Sequence, residues 1–228
     1  MANRKVHRKD KKRTRKLSLE VEIGVLGVDS NFDEATKRVY DYRSKHVYPR
    51  LRNNGFALTL LEGSMASRAY VAKALKQGHI ELFTGSGHGQ RDKFMGQYYE
   101  SILEVGSYTP EEVRGKIVHL LACRSAFELG EDVVRNGCKA FFGYDIDFAY
   151  HPEYEDIFLD CDSEIDIALA QGNTARQAYQ RALKLYDRYI AQFDREGRDY
   201  EVATLQRNRD HLCAPDRDSR SGDPSARL

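Results

Sequence analysis

His79-Ile80-Glu81-Leu82-Phe83-Thr84-Gly85-Ser86-Gly87-His88-Gly89 and Lys116-Ile117-Val118-His119-Leu120-Leu121-Ala122-Cys123-Arg124-Ser125 are the segments that decide the fold. Each is a short apolar run that stops at a reactive side chain and then meets a loop or a helix start. Runs of this length, bounded by glycine and polar residues, predict buried strands. The stretches between such runs have helical periodicity. Strand and helix therefore alternate, and that order predicts an α/β fold: a mostly parallel central sheet with helices on both faces. If the two quoted strands are parallel neighbours, His88 and Cys123 lie side by side at the carboxyl edge of the sheet, where open α/β sheets place their chemistry. An imidazole beside a thiol is the minimal equipment for nucleophilic catalysis by cysteine.

Outward from this pair the same alternation continues. Leu19 to Val28 predicts a first strand that stops at the loop and cap signal Asp29-Ser30-Asn31. Asp33 to about Asn53 predicts a charged amphipathic helix that Pro49 kinks or ends early. Phe56–Leu61 is a second strand, followed by a Ser67 cap and a helix over Arg68–Gln77. The third strand is His79–Thr84. Residues 90–115 are less regular, with a single helical turn at Thr109-Pro110-Glu111-Glu112. Lys116–Ala122 is the fourth strand, Ser125–Asn136 a helix, and Lys139–Tyr144 the fifth strand. Helices over Asp162–Ala170 and from Thr174 to about Phe193 follow. From about Arg207 the chain is polar, and 207–228 reads as a tail with little to bury.

The formal net charge of +1 over 228 residues hides a division. Residues 1–16 hold nine Lys and Arg against Asp10, a formal +8, which leaves −7 on the rest. The boundary sets a basic arm (1–18) against a mildly acidic α/β domain (19–206). Such an arm can contact nucleic acid, an anionic surface or an acidic protein, or can simply stay solvated. It has no interleaved aromatic residue, so it offers phosphate contacts without base stacking. Hydrophobic residues make up 41%, enough for a core, yet no apolar run approaches the roughly 20 residues of a membrane span. No apolar segment follows the N-terminal basic residues, which argues against a signal peptide. Cys123, Cys138, Cys161 and Cys213 stand singly, in neither a disulfide framework nor zinc-type spacing, so the expected compartment is a reducing cytoplasm.

Taken alone, Cys123 reads as small core filler. Its place at a strand end, just before an expected helix start and next to Arg124, would favour the thiolate. His88 sits among Gly85, Gly87 and Gly89, which allow unusual backbone angles and close approach of a substrate. The amides of Gly89 and Cys123 are candidate oxyanion donors. A phosphate loop would need a lysine followed by serine or threonine, which this loop lacks. A lipase-type elbow at Ser86 fails because Thr84 stands where glycine is required. His119 and Cys123 are four apart, but on a strand that spacing spans about 13 Å, too far for one zinc ion. No metal or other cofactor is expected.

Gly87-His88-Gly89, the strand closing on Ala122-Cys123-Arg124-Ser125, and Gly137-Cys138-Lys139-Ala140-Phe141-Phe142-Gly143-Tyr144 together resemble the caspase-like cysteine peptidases, most nearly the CHAT and gingipain-type branches. Ile165 to Tyr179 is similar to the helical segment that follows the core in those branches. The resemblance spans roughly residues 19–195. It implies a three-layer caspase-like fold and a dyad in which Cys123 attacks the scissile carbonyl while His88 protonates the leaving amine. Family members that cut after aspartate carry an arginine in the loop after the first strand. Here that loop is Asp29-Ser30-Asn31-Phe32-Asp33, which resembles the metacaspase and gingipain arrangement and implies cleavage after Arg or Lys. Asp29 is then a substrate-binding candidate, with Asp145 and Asp147 adding to the negative field; equally, Asp29 or Asn31 could only cap the next helix.

The leading expectation is therefore a cytoplasmic cysteine endopeptidase acting on a protein or peptide in a regulatory or defence pathway, with a regulatory protein as a further partner. Two alternatives come from other classes. One is a catalytically silent caspase-like module that binds a partner through the same groove. The other is a nucleic-acid-associated α/β protein that works through its basic arm.

Overall fold

In the computed structural model, which describes residues 23–228, the apolar runs become strands β1 (Gly24–Asp29), β2 (Ala57–Glu62) and β3 (Ile80–Ser86). The irregular stretch then forms three short strands, β4 (His88–Gln90), β5 (Lys93–Met95) and β6 (Ser101–Glu104). Strands β7 (Ile117–Leu121), β8 (Ala140–Tyr144) and β9 (Leu212–Cys213) complete the set. The central sheet runs β2-β1-β3-β7-β8-β9, parallel throughout except for β9, and β4-β5-β6 is a separate antiparallel sheet. The basic arm and the expected strand start at Leu19 lie outside the described residues.

Along the strands, side chains alternate between two apolar cores, as the two-residue period of extended chain requires. Val25, Leu82, Ile117 and Phe142 enter one core, where α1 (Glu34–His46) and α2 (Tyr48–Asn53) pack. Leu26, Phe83, Val118 and Phe141 enter the other, with α3 (Arg68–Leu75), α4 (Glu128–Arg135) and the small sheet's Phe94, Ile102 and Leu103. The first core also takes α5 (Glu155–Ala170), α6 (Ala175–Arg195) and Leu205 of α7 (Asp199–His211). The result is the expected α/β architecture, a mostly parallel six-stranded sheet with helices on both faces, consistent with a three-layer caspase-like fold. Among the described residues, no helix is long and apolar enough to cross a membrane.

Pro49 ends the first helix early, as expected: α1 closes at Val47, whose amide donates to the Arg43 carbonyl, and Pro49 occupies the first turn of α2, where its missing N–H costs nothing. Two other expectations change. The helix after Cys123 starts at Glu128 rather than Ser125. Residues 207–228 are not a tail. Leu212 and Cys213 pair antiparallel with Tyr144 and Gly143 and cover the edge of β8, while Leu212, Ala214 and Ala226 are buried. The Ala175 and Arg176 amides donate to the Ala226 and Pro224 carbonyls, which ties this segment to the start of α6.

Between the sheet and its α1/α5 layer lies a buried polar cluster. The Arg43 guanidinium, on α1, donates to Asp166 on α5 (3.3 Å), Thr84 on β3 (2.8 Å) and the Tyr48 hydroxyl (3.3 Å). Its Nε lies 2.9 Å from Asp29 Oδ1, an ion-pair distance outside hydrogen-bond geometry. His119, on β7, stands between Asp166 (2.9 Å) and Asp162 (3.2 Å). Burial alone would lower the His119 pKa, but the two aspartates outweigh it and raise it to about 10. His119 is thus a buried member of the sheet, as its strand position predicted.

The raised pKa fixes a sign. A histidine charged in the folded state stabilises fully below its unfolded pKa, about 6.5, and the stabilisation is lost as pH rises through about 10. The urea midpoint of the wild-type protein should therefore fall between pH 6.5 and 10. His119→Gln should flatten that fall and destabilise by about 3–5 kcal/mol at pH 6.5, since it strips the buried aspartates of a charged partner. An unchanged pH slope in the variant would contradict the charged-histidine assignment.

Candidate active site

Strands β3 and β7 are parallel neighbours with Ser86 opposite Leu121. His88 and Cys123 each lie two residues beyond that pair. The Gly87 amide donates to the Leu121 carbonyl (3.2 Å), which carries the pairing past the strand ends. His88 and Cys123 line one cavity of about 100 Å³, walled by α1, Leu121, Ala122, Phe148 and Tyr150. Gly89 makes the approach of the two loops feasible: a Cβ there would collide with the Cys123 carbonyl oxygen and lie 3.0 Å from the Cys123 nitrogen. Among the described residues, no backbone carbonyl accepts from the Cys123 amide, and its residue abuts Gly89. These are the two residues expected to supply oxyanion donors.

His88 is held by Asp33. Nε2 lies 2.6 Å from Asp33 Oδ2, while Oδ1 of the same carboxylate accepts from the Thr36 amide (2.8 Å) and caps α1. Burial would raise the Asp33 pKa, but the bonds from His88 and Thr36 prevail and keep it below the ordinary carboxylate value. An ionised carboxylate only accepts, so the Nε2 proton is donated to Asp33 and Nδ1 is left as the basic nitrogen. Aromatic rings fix the imidazole from the other side: Tyr99 packs at 4.9 Å between centroids and Phe32 at 5.9 Å. Tyr98 and Tyr99 take left-handed backbone angles (φ 53° and 63°) and remain exposed, which is the kind of strain that accumulates at functional sites.

The surroundings of Cys123 differ from expectation. No helix begins beside it, because Arg124 to Phe127 form turns and α4 starts only at Glu128. Arg124 has φ 58°, its amide donates to the Ile146 carbonyl (2.9 Å), and its guanidinium pairs with Asp147 at 2.6 Å. Burial pushes the Cys123 thiol up; the Phe148 amide opposes this, and the Asp147 carboxylate adds to it. Arg124 also opposes the rise, but it is paired with Asp147, and the helix start expected directly after Cys123 is absent.

The expected substrate-binding acids lie elsewhere. Asp29 is buried: Oδ1 accepts from the Ser86 amide (3.0 Å) and hydroxyl (2.6 Å), and Oδ2 accepts from the Tyr48 hydroxyl. With Arg43 beside it, Asp29 holds the end of β3 and does not line the cavity. It caps no helix either; Asp33 does that, and Asn31 exchanges hydrogen bonds with Gln97. Asp145 accepts from His211 (2.6 Å) and Arg217 (3.4 Å) on the β9 side and lines a separate hollow with Cys213. Sequence reasoning missed Asp33 and Tyr99. Asp33 stood only as the first residue of the expected helix, and nothing in the sequence showed that it caps α1 or where its second oxygen points.

No protein-family model matches this sequence, and no curated protein matches it.

The four cysteines differ in reach. Cys138 and Cys213 are buried, with thiols pushed up to about 12 by burial, and Cys161 is raised well above the ordinary value for the same reason. Cys123 is half-buried at the cavity. Brief iodoacetamide treatment of the native protein at pH 8, read by peptide mass spectrometry, should modify Cys123 first and the other three only on unfolding. Earlier modification of Cys138 or Cys161 would contradict the arrangement.

Proposed function

We infer that the chain is a cysteine endopeptidase of the caspase-like kind in which Cys123, His88 and Asp33 act as one unit. The observation that carries this reading is the pairing of β3 with β7, which brings an imidazole held by a carboxylate to the same cavity as a half-buried thiol. With Nε2 engaged by Asp33, His88 Nδ1 takes the proton from the Cys123 sulfur as that sulfur attacks the scissile carbonyl. The carbonyl oxygen becomes an oxyanion, and the amides of Cys123 and Gly89 are the nearest candidates to receive it. Collapse breaks the C–N bond, His88 returns the proton to the leaving amine, and an acyl-cysteine remains. Water, deprotonated by His88, releases the carboxylic acid and restores the thiol.

The raised Cys123 pKa fits proton transfer concerted with attack better than a preformed thiolate. Asp33 orients the ring and stabilises the imidazolium, the role a carboxylate has in a three-residue unit. The four unpaired cysteines suit a reducing cytoplasm. Cleavage after Arg or Lys loses the residue that motivated it, because Asp29 is committed to Ser86, Tyr48 and Arg43.

On peptides with fluorogenic leaving amides, Cys123→Ala should abolish turnover and His88→Ala should fall nearly as far, since members of one unit are non-additive. Asp33→Asn should keep the α1 cap largely intact yet lower kcat by roughly 10²-fold or more. Turnover retained in Cys123→Ala would refute the assignment, and an unaffected kcat in Asp33→Asn would remove Asp33 from the unit.

A further inference from the structure

We propose that the cavity beside Cys123 receives the side chain that precedes the scissile bond, and that it selects a small or medium aliphatic residue such as Val or Leu; this rests on the peptidase reading above. The acyl carbon of the cleaved residue bonds to Cys123 Sγ during the reaction. Its side chain therefore branches one atom away from that carbon, at the mouth of whatever hollow adjoins the sulfur. The hollow that both His88 and Cys123 line is the 100 Å³ cavity.

Its walls are apolar. Ala35 and Val39 come from α1, Leu121 and Ala122 from the end of β7, and Phe148 and Tyr150 from the loop after β8. The Tyr150 hydroxyl donates to the Ala35 carbonyl (3.2 Å) and ties that loop to α1. The Phe148 ring packs against Tyr144 at 4.9 Å, which fixes it as a wall. Thr36 adds one polar group, but both its amide and its hydroxyl are engaged with Asp33 (2.8 Å each).

Among the described residues, no unpaired ion lines this cavity to meet a charged side chain. Asp29 is internal, and Asp33 is bound to His88. Arg124 is paired with Asp147, and Arg68 with Glu112 at 2.5 Å. An Asp, Arg or Lys placed here would lose water without gaining a partner, and that costs far more than apolar burial returns. Size sets the other limit. The cavity, about 100 Å³, is smaller than the apolar void of ~150 Å³ that takes up benzene, so an aromatic ring is too large. A larger hollow of about 380 Å³, lined by Gly89, Asp92 and Asp147 among others, holds three acids, and each already has a partner: Arg91 on Glu128, Arg124 on Asp147 and Lys93 on Asp92 (3.8 Å).

The full-length protein is given a peptide series that differs only in the residue before a fluorogenic amide: Ala, Val, Leu, Phe, Arg, Lys or Asp. We expect kcat/KM for Val or Leu to exceed that for Arg, Lys and Asp by about 100-fold. Val39→Phe should fill the cavity and move the preference from Leu to Ala by about tenfold or more, a change of the size that a few methylenes produce. Ala35→Leu is the second variant should Val39→Phe fail to fold, with the same expected shift. Wild-type preference for Phe, Arg, Lys or Asp, abolished by Cys123→Ala, would overturn the pocket assignment and leave the peptidase reading standing. Wild-type preference for Val or Leu that neither variant moves would place selection elsewhere and also overturn it. No turnover of any peptide, together with no labelling of Cys123 by a leucyl acyloxymethyl ketone, would bring down both.

Discussion

The structure depends on a set of charges that water cannot reach. Arg43, Asp29, Asp162, Asp166 and His119 are all fully or almost fully buried, and together they join β1, β7, α1 and α5 in one cluster, with Thr84 linking β3. Each of these groups is costly to desolvate alone and tolerable only with its partners, so removal of one leaves another uncompensated. That makes the cluster a constraint on register as much as a source of stability. A slip of one residue in β3 or β7 would carry Thr84 or His119 to the opposite face and strand the aspartates in an apolar layer.

The cluster reaches the candidate site through a short chain of bonds. Asp29, held by Arg43 and Tyr48, accepts the Ser86 amide and hydroxyl, and Ser86 is two residues before His88. The buried charge thus determines where the imidazole leaves the sheet, and Asp33 then determines how it is turned. One carboxylate does two jobs there: one oxygen caps α1 and the other holds His88. The helix that walls the cavity and the ring that opens onto it are therefore positioned by the same group. The left-handed backbone angles at Arg124, Tyr98 and Tyr99 lie around this same site, at roughly 1–3 kcal/mol apiece.

The parallel core was legible because strands buried on both faces read as continuous apolar runs, and the His88–Cys123 juxtaposition followed from their alternation with helices. Strands of three or four residues carry no such signal, which is why β4, β5 and β6 read as irregular chain. The helix expected from Ser125 starts only after the turn Arg124–Phe127, where the Ser125 hydroxyl donates to the Ala122 carbonyl. The polarity of 207–228 concealed the short apolar segment Leu212-Cys213-Ala214, enough to cover a sheet edge. The two acids of the β1–α1 loop were indistinguishable by type. Asp29 ends a strand and turns inward to Ser86, whereas Asp33 starts a helix and turns toward His88. Only tertiary contact separates those roles.

The central claim is that His88 and Cys123 form one chemical unit across the cavity. The most direct test is the thiolate titration of Cys123, read at 240 nm as the difference between the wild-type protein and Cys123→Ala, with and without His88→Gln. The account predicts that His88→Gln moves the apparent Cys123 pKa by about one unit or more, because the nitrogen that accepts from the thiol is lost, a coupling of roughly 1.4 kcal/mol. An identical titration in the two backgrounds would show that imidazole and thiol do not interact, and would contradict it.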